Sequence, residues 1–468
     1  MQKHKFAGTP LAAGLAALLA GCSMAPAYHP PQVAAPAAYK ELPGWTAAQP
    51  MDDAPRGEWW KAFKDPVLDD LETRMANASP TLEAALARYD QARAAAREAT
   101  SDLFPTVSVG GDAVRERLSA RRPQGNGNAV KYNDFMVGAA LDYELDLWGR
   151  IRNCMSAARA EAKASGNDLE SARLDLQVAV ADAYFRLRGL DAESELLHRT
   201  VDAFGRAYDL TDKRHTGGIA SGIDVNRART QLSGAKAQIS QVANQRAATE
   251  HELAALVGEV ASSFSVAPAL TPLDPPPVMG SAPSELLQRR PDIAAAERRV
   301  FAANARIGVA RAAIFPSITL GGGVGFEAAH GQLLSSPSSF WALGPLSAAM
   351  AIFDGGARAA RVKISRAEYE EAAASYRASV LSAFRQVEDG LAANSYLTTQ
   401  ITDQSDAAGA ADRTRDLALV RYRDGASDYL EVVLAQTAAL DAERATLALR
   451  TQHMRSTVAL IGAVGGQF

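Results

Sequence analysis

An internal repeat is the feature that most limits how this chain can fold, because the sequence matches itself at an offset of about 210 positions. In the first half, Phe104-Pro105 and Gly110-Gly111 align with Phe315-Pro316 and Gly321-Gly322 of the second half. A later block of matches pairs Asp209, Leu210, Arg214, Gly218 and Val225 with Asp416, Leu417, Arg421, Gly425 and Val432. We therefore expect one supersecondary arrangement that is built twice.

The repeat sets the domain organisation of the chain. The first repeat covers residues 58–265 and the second residues 284–468, with a proline-rich crossover at 266–283 between them. Neither a helix nor a central strand can continue through such a run of prolines. The crossover therefore separates two structural halves.

Each half contains two segments in which apolar and polar residues alternate, and this pattern predicts β-strands. We place them at about 103–113 and 132–148 in the first half and at about 314–326 and 340–353 in the second. Each segment is long enough for a transmembrane strand, which needs roughly 9 to 11 residues. A half-buried sheet in a soluble protein shows the same alternation, so the strands alone leave both interpretations open.

Long stretches without proline follow the strands and predict two helical hairpins. The helices are expected over about 150–258 and 356–463, each interrupted only near a glycine turn, at Gly217-Gly218 and at Asp424-Gly425. Their apolar residues keep a 3-4 spacing, which indicates packing against partner helices. Four strands cannot close a membrane barrel, so a barrel would have to be shared between protomers.

The N-terminus has the pattern of a lipoprotein signal peptide over residues 1–21. Lys3 and Lys5 precede a short apolar run, and Leu19-Ala20-Gly21-Cys22 resembles the lipobox of bacterial lipoproteins, in which the cysteine is acylated. Residues 22–57 are then expected to form a lipid-anchored, extended arm rich in proline and alanine. No later stretch is apolar enough for a transmembrane helix, so any membrane spanning falls to the strands.

Composition excludes several classes of function. Lys plus Arg number 49 and Asp plus Glu 53, so the net charge of −4 gives no reason to expect a nucleic-acid partner. The only cysteines are Cys22 and Cys154, which excludes a disulfide framework, and we expect Cys154 to be buried. No nucleophile, metal-ligand or phosphate-loop motif occurs, so we predict no catalytic residue, no metal site and no cofactor.

Two motifs in the second half resemble those of a known family. One runs from Pro283 to Ile293 (PSELLQRRPDI) and continues at 310–316 (ARAAIFP), and the other is Arg421–Gly425 (RYRDG), followed by Tyr429-Leu430. On these residues the chain is similar to the outer membrane factors of bacterial efflux pumps, in the TolC superfamily and its NodT-related lipoprotein branch. The resemblance extends over essentially the whole chain.

The resemblance implies a mainly α-helical fold with a transmembrane β part. Long helical hairpins would form a periplasmic helical barrel, and four strands from each protomer of a homotrimer would form a shared 12-stranded outer-membrane β-barrel. The implied partners are a periplasmic adaptor protein, an inner-membrane efflux pump and the lipid of the outer membrane. The implied location is the cell outer membrane, with a lipid anchor and a large periplasmic extension.

The resemblance also assigns roles to residues near the two hairpin turns. The positions that close the periplasmic end in the family are Asp224, Tyr422, Glu431 and Leu434 in this chain, and a link between Asp224 and Tyr422 is expected in the closed state. Leu434 departs from the aspartate that is typical of relatives, which favours a partly apolar closure. Solvated surface acids remain the alternative interpretation of Asp224 and Glu431. The turn residues implied to contact the adaptor are Gly217, Gly218, Asp424 and Gly425.

The function implied is that of a passive exit duct for drugs or other small toxic compounds, driven by the inner-membrane pump. Two alternatives stay open. An exit duct for type I protein secretion would share the architecture and differ only in its adaptor and pump. A structural coiled-coil lipoprotein would not conduct at all.

Overall fold

The computed structural model describes residues 23–32, 40, 57–124, 127–276, 290–329 and 338–466. The predicted signal peptide, the acylated Cys22 and most of the arm lie outside the described residues, as do positions 283–289 of the first family motif. The architecture is mainly helical, with one four-stranded sheet. This confirms the predicted fold class of long helices combined with four strands.

Seven α-helices occur among the described residues. In chain order they are α1 (Pro66–Ala78), α2 (Pro80–Ser101), α3 (Arg150–Thr216), α4 (Gly222–Leu256), α5 (Pro291–Ala312), α6 (Ala357–Arg423) and α7 (Tyr429–Ala463). The repeat predicted from the sequence appears in their lengths: α3 and α6 have 67 residues each, α4 and α7 have 35, and α2 and α5 have 22. No helix in the described ranges combines the length and the apolar character that crossing a membrane requires.

The sequence analysis did not place α1 and α2, although their start signals are present. Asp65 accepts hydrogen bonds from the amides of Val67 and Leu68, and Pro66 takes the first helical position. This is the usual N-terminal chemistry of a helix, because an acidic cap satisfies free amides and proline has none to satisfy. Pro80 begins α2 in the same way.

The sheet is antiparallel throughout, in the order β1 (Thr106–Leu118), β2 (Val130–Glu144), β3 (Ser317–Ala328) and β4 (Ser338–Ala349). β2 ends earlier than the alternation suggested, since Asp146 accepts hydrogen bonds from the first amides of α3, at Ile151 and Arg152. The alternating residues after Glu144 thus belong to the connection between strand and helix. Pro345 lies on β4, an edge strand, where a missing amide hydrogen is tolerated.

The chain divides into two compact units. One comprises Met1–Gln32, Arg88–Gly166 and Ala295–Arg377 and contains the sheet; the other comprises Val33–Ala87, Asn167–Ala294 and Ala378–Phe468. The largest core cluster lies in the second unit, where Trp59, Met75, Tyr184, Phe185 and Ile461 are buried together. Cys154, which was expected to be buried, is partly exposed on α3, so that expectation was wrong.

Candidate functional site

The four strands carry an apolar face. Cross-strand pairing aligns Val109, Ala139, Val324 and Trp341 in one row across the whole sheet. Val109 is 80% exposed and Trp341 81% exposed in the single chain. An apolar patch of this extent normally marks contact with another protein or with a membrane. Further members of the same face are Val107, Phe135, Val137, Leu141, Leu320, Phe326 and Leu343.

The opposite face of the sheet is acidic. Every acidic residue of the four strands lies on it, and none lies on the apolar face; they are Asp112, Glu116, Asp134, Asp142, Glu144 and Glu327. The remaining positions of this face are mostly small or polar, such as Ser108 and Thr319. One face therefore suits hydrocarbon and the other suits water, which is the alternation of a transmembrane strand.

Both hairpin turns end their first helix in the same way. Gly218 and Gly425 have positive φ angles of 76° and 79°, a conformation that favours glycine. The next amides, of Ile219 and Ala426, each donate a 2.8 Å hydrogen bond to a carbonyl five residues earlier. This glycine cap satisfies the last carbonyls of a helix and reverses the chain. The structure places all four predicted tip residues, Gly217, Gly218, Asp424 and Gly425, in these exposed turns.

The two turns differ in how their second helix begins. In the first turn, Ser221 and Asp224 form a capping box, in which the hydroxyl accepts from the Asp224 amide and the carboxylate accepts from Ser221. In the second turn, Asp428 accepts from the amide of Glu431, and Arg421 donates a 2.8 Å hydrogen bond to the Glu431 carboxylate. Asp224 thus serves its own helix start, whereas Glu431 connects both helices of its hairpin.

Tyr422 is buried at the second turn. Its ring packs edge-on against Tyr429, with 5.2 Å between the ring centres. Arg214 of the first hairpin stacks 4.7 Å above the Tyr422 ring and donates a 2.5 Å hydrogen bond to its backbone carbonyl. Ala207, Ala228, Ala418, Val432 and Ala435 complete this apolar cluster. The two hairpins are joined here by one arginine and one tyrosine.

The expected hydrogen bond between Asp224 and Tyr422 is not formed in this structure. The Tyr422 hydroxyl donates to Thr211 at 3.4 Å, and the Asp224 carboxylate is engaged by Ser221 and lies 3.6 Å from Arg227. Leu434 is 63% exposed, and 42% of the Glu431 side chain remains accessible. The four predicted residues therefore lie at the turns, and the structure does not bring them into one bonded group.

Roles for Arg214, Thr211 and Tyr429 at the turns were not predicted from the sequence. Burial raises the pKa of Tyr429 to about 12, and the nearby Tyr422 and Asp224 add to the effect. A signal for Arg214 was present in the repeat, which aligns it with Arg421. Both arginines contact the second turn, Arg214 through Tyr422 and Arg421 through Glu431.

A third feature is the docked segment 23–32, which directly follows Cys22. The Tyr28 hydroxyl donates a 2.6 Å hydrogen bond to Glu297, and its ring packs against Phe301 at 5.0 Å. Asn304 donates to the carbonyl of Pro26 at 3.0 Å. These contacts hold the segment on α5. Among the described residues, no cluster of His, Cys, Asp and Glu could hold a metal ion.

Comparison with known proteins adds to this picture. A family model described as outer membrane efflux protein matches residues 73–259 and 282–466, which correspond to the two halves of the repeat. The antibiotic efflux pump outer membrane protein ArpC of Pseudomonas putida is 33% identical over 453 residues, covering 96% of this chain and 93% of ArpC. The outer membrane protein OprJ of Pseudomonas aeruginosa is 32% identical over 459 residues, covering 97% and 94%. The solved structure of the outer-membrane channel OprN superposes with a TM-score of 0.86 at 31% identity, over 95% of this chain and 99% of OprN.

Proposed function

Since the chain belongs to the outer membrane efflux protein family, we propose that it is the outer-membrane channel of a tripartite efflux system. It is a passive exit duct for drugs or other small toxic compounds, and an inner-membrane pump supplies the driving force. The observation that carries this proposal is the two-faced sheet, apolar on one side and acidic on the other. The channel performs no reaction and needs no cofactor.

The working unit is a homotrimer with a 12-stranded barrel. β1 and β4 are the edges of the sheet, and they run in opposite directions because four strands alternate. β4 of one protomer can therefore pair antiparallel with β1 of the next. An unpaired edge in hydrocarbon would leave backbone groups unsatisfied at several kcal/mol each, which favours closure. Three copies of four strands give a ring of twelve.

Acylated Cys22 anchors the chain in the outer membrane, in addition to the barrel. The docking of Ser23–Gln32 onto the strand-containing unit supports this, because it keeps the chain next to Cys22 close to that unit. The barrel is embedded through its whole apolar band, so retention in the membrane does not depend on the lipid alone. Cys22→Ala behind a cleavable signal should remain in the outer membrane, and its recovery as a soluble periplasmic protein would contradict the barrel.

The partners of the channel are a periplasmic adaptor and an inner-membrane pump. We assign the adaptor contact to the exposed turns, at Gly217, Gly218, Asp424 and Gly425. The glycine caps support this assignment, since they give two protruding turns the same backbone shape. A repeated shape lets one type of adaptor surface bind both turns.

We propose that Asp224, Tyr422, Glu431 and Leu434 form the periplasmic gate, with Leu434 as an apolar constriction. Tyr422 packs in the apolar cluster at the second turn. Glu431 links the two helices of its hairpin by accepting a hydrogen bond from Arg421. Leu434→Ala should raise the resting conductance, because a narrow apolar segment resists wetting. The comparison variant combines Tyr422→Phe with Asp224→Ala. If only this double variant opens the pore, closure depends on the polar groups of Tyr422 and Asp224.

Conductance across planar bilayers tests the proposed function. Purified protein should insert as a trimer and conduct ions, with a preference for cations because the lumen-facing side carries the acids. The same gene, expressed with matching adaptor and pump genes in a strain without its own channel, should restore drug resistance. Absence of any pore would favour the structural lipoprotein. Export of a protein instead of drugs would favour type I secretion.

A further inference from the structure

The far end of the β1–β2 hairpin carries positive side chains on the apolar face of the sheet. Cross-strand register pairs Arg117 with Lys131 and Arg115 with Asn133. Two-residue periodicity places these side chains on the face of Val109 and Val137. Arg115, Arg117 and Lys131 are all exposed.

Charge is fully segregated between the two faces of this hairpin. The nearest acids in the strands, Glu116 and Asp134, occupy the opposite face, where Glu116 accepts a 2.8 Å hydrogen bond from Tyr132. In the part of the chain that the structure describes, the three basic side chains form no ion pair. Their charge is therefore available to a partner on the apolar side.

The position of the cluster identifies the kind of partner. From Val107 to Ala113 the apolar face extends six residue steps along β1, about 20 Å at 3.4 Å per residue. The apolar band of a transmembrane barrel is about 25 Å high. Arg115 and Arg117 therefore lie close to the end of such a band. The ends of β1 and β2 that connect to helices lie at the opposite end of these strands. This argument rests on the proposed function, in which the helices are periplasmic and this end faces outward.

We propose that Arg115, Arg117 and Lys131 bind the phosphate groups of anionic lipid in the outer leaflet. Guanidinium groups match phosphate oxygens in a bidentate geometry, and basic residues at the headgroup level attract anionic lipid. Direct contact is favoured over a bridging divalent cation, because this face of the hairpin offers no carboxylate to hold one. The apolar rows beneath the cluster receive the acyl chains of the same lipid.

The test uses the full-length trimer in detergent and a diphosphorylated glycolipid, lipid A, as the probe. The variant is Arg115→Gln, Arg117→Gln and Lys131→Gln together. A matched control removes the same charge from exposed positions of the first helical hairpin, with Lys213→Gln, Arg229→Gln and Lys236→Gln. The dissociation constant for lipid A should rise about tenfold or more in the variant, since it loses three basic groups that attract the anionic headgroup. The control should bind like wild type, and dephosphorylated lipid A should bind all three proteins equally weakly.

Each outcome decides the proposal. Unchanged lipid A binding in the variant, or an equal loss in the control, overturns it. Equally tight binding of inorganic phosphate would reveal a site for free anions and would overturn the assignment to lipid. Planar-bilayer conductance of the same preparations distinguishes a failure of the lipid site from a failure of the proposed channel function. If wild type conducts and the variant keeps its lipid affinity, only the lipid site fails; if wild type does not conduct, the channel itself is wrong.

Discussion

The two halves of the repeat share their backbone plan and differ in side-chain chemistry. Their helices have matching lengths, and both turns end on a glycine with positive φ. Yet β1 and β2 carry five of the six strand acids, while β3 contributes the glycine run 321–323 and one acid. At the first turn, Ser221 and Asp224 form a capping box within the turn. At the second turn, Arg214 of the other hairpin donates a hydrogen bond to the Tyr422 carbonyl. The comparison teaches that caps and lengths persist between the halves while charge and packing diverge.

The largest effect is expected at a glycine of the second half. A Cβ on Gly325 would lie 2.4 Å from the Val137 carbonyl oxygen and 2.7 Å from Gly138 Cα, so β2 and β3 would have to separate. Gly325→Ala should cost about 3 kcal/mol or more and abolish the heat-stable trimer on gels. Gly323→Ala is the control on the same strand and face, because its Cβ meets only ordinary contacts near 3.8 Å. Equal trimer yields would show that Gly325 is not needed for the close packing of β2 against β3.

A second test concerns Glu72 of the first half, whose equivalent position in the repeat is Pro283. Both carboxyl oxygens of Glu72 are buried without a hydrogen-bond partner, and burial raises its pKa from 4.5 to about 9. The folded state thus binds a proton that the unfolded state releases, so stability falls as the pH rises from 4.5 towards 9. The slope is about 1.4 kcal/mol per pH unit.

Glu72→Gln should therefore raise the melting temperature at pH 8 and leave it nearly unchanged at pH 4. The measurement is thermal unfolding of the detergent-solubilised protein over this pH range. Asp65→Asn serves as the contrast, since Asp65 caps α1 and accepts a 2.5 Å hydrogen bond from Tyr184. That variant should lose stability at neutral pH. If the melting temperatures of wild type and Glu72→Gln changed in parallel with pH, Glu72 would not be a buried neutral carboxyl.

The two arginines that the repeat aligns offer a third test. Arg214 combines stacking on Tyr422 with a hydrogen bond to its carbonyl, together worth about 2 kcal/mol. The Arg421–Glu431 pair is largely exposed, and such pairs contribute about 0.2 to 1 kcal/mol. Arg214→Ala should raise the resting conductance tenfold or more, since about 2 kcal/mol exceeds the 1.4 kcal/mol that corresponds to a factor of ten. Arg421→Ala should have the smaller effect, and the reverse order would place the main closing contact of the gate at Glu431.

The smallest effect is expected where the segment 23–32 docks. A Cβ on Gly308 would lie 2.5 Å from the side-chain nitrogen of Asn153 and 2.8 Å from Ala25 of the segment; the first half has Arg97 at the equivalent position. Gly308→Leu should release the segment at a cost of about 1 kcal/mol and expose Tyr28 to chymotrypsin. Gly234→Leu, at an open helix position, is the control. Protection of Tyr28 in both variants would argue against docking through Gly308.

Much of the architecture could be predicted from local patterns. The long helices were located within about two residues because proline, glycine and the 3-4 apolar spacing act within a few turns of chain. Strand ends were less accurate: the predicted 103–113 is Thr106–Leu118 in the structure, since pairing with β2 extends the strand through Arg115 and Arg117. Helices α1 and α2 were missed because Asp65 and Pro80 were not recognised as their start signals.

The sequence by itself determined the repeat, the two turns and the separation of apolar from acidic residues along the strands, because each is a pattern in the order of the residues and does not depend on which residues meet in space. Only the tertiary structure decided which residues work in pairs. It brought Tyr422 into contact with Thr211 and Arg214, and it aligned Arg117 with Lys131. These contacts join residues that are distant in the chain or depend on strand register. A one-dimensional pattern does not encode such distances, which are set when helices pack and strands pair.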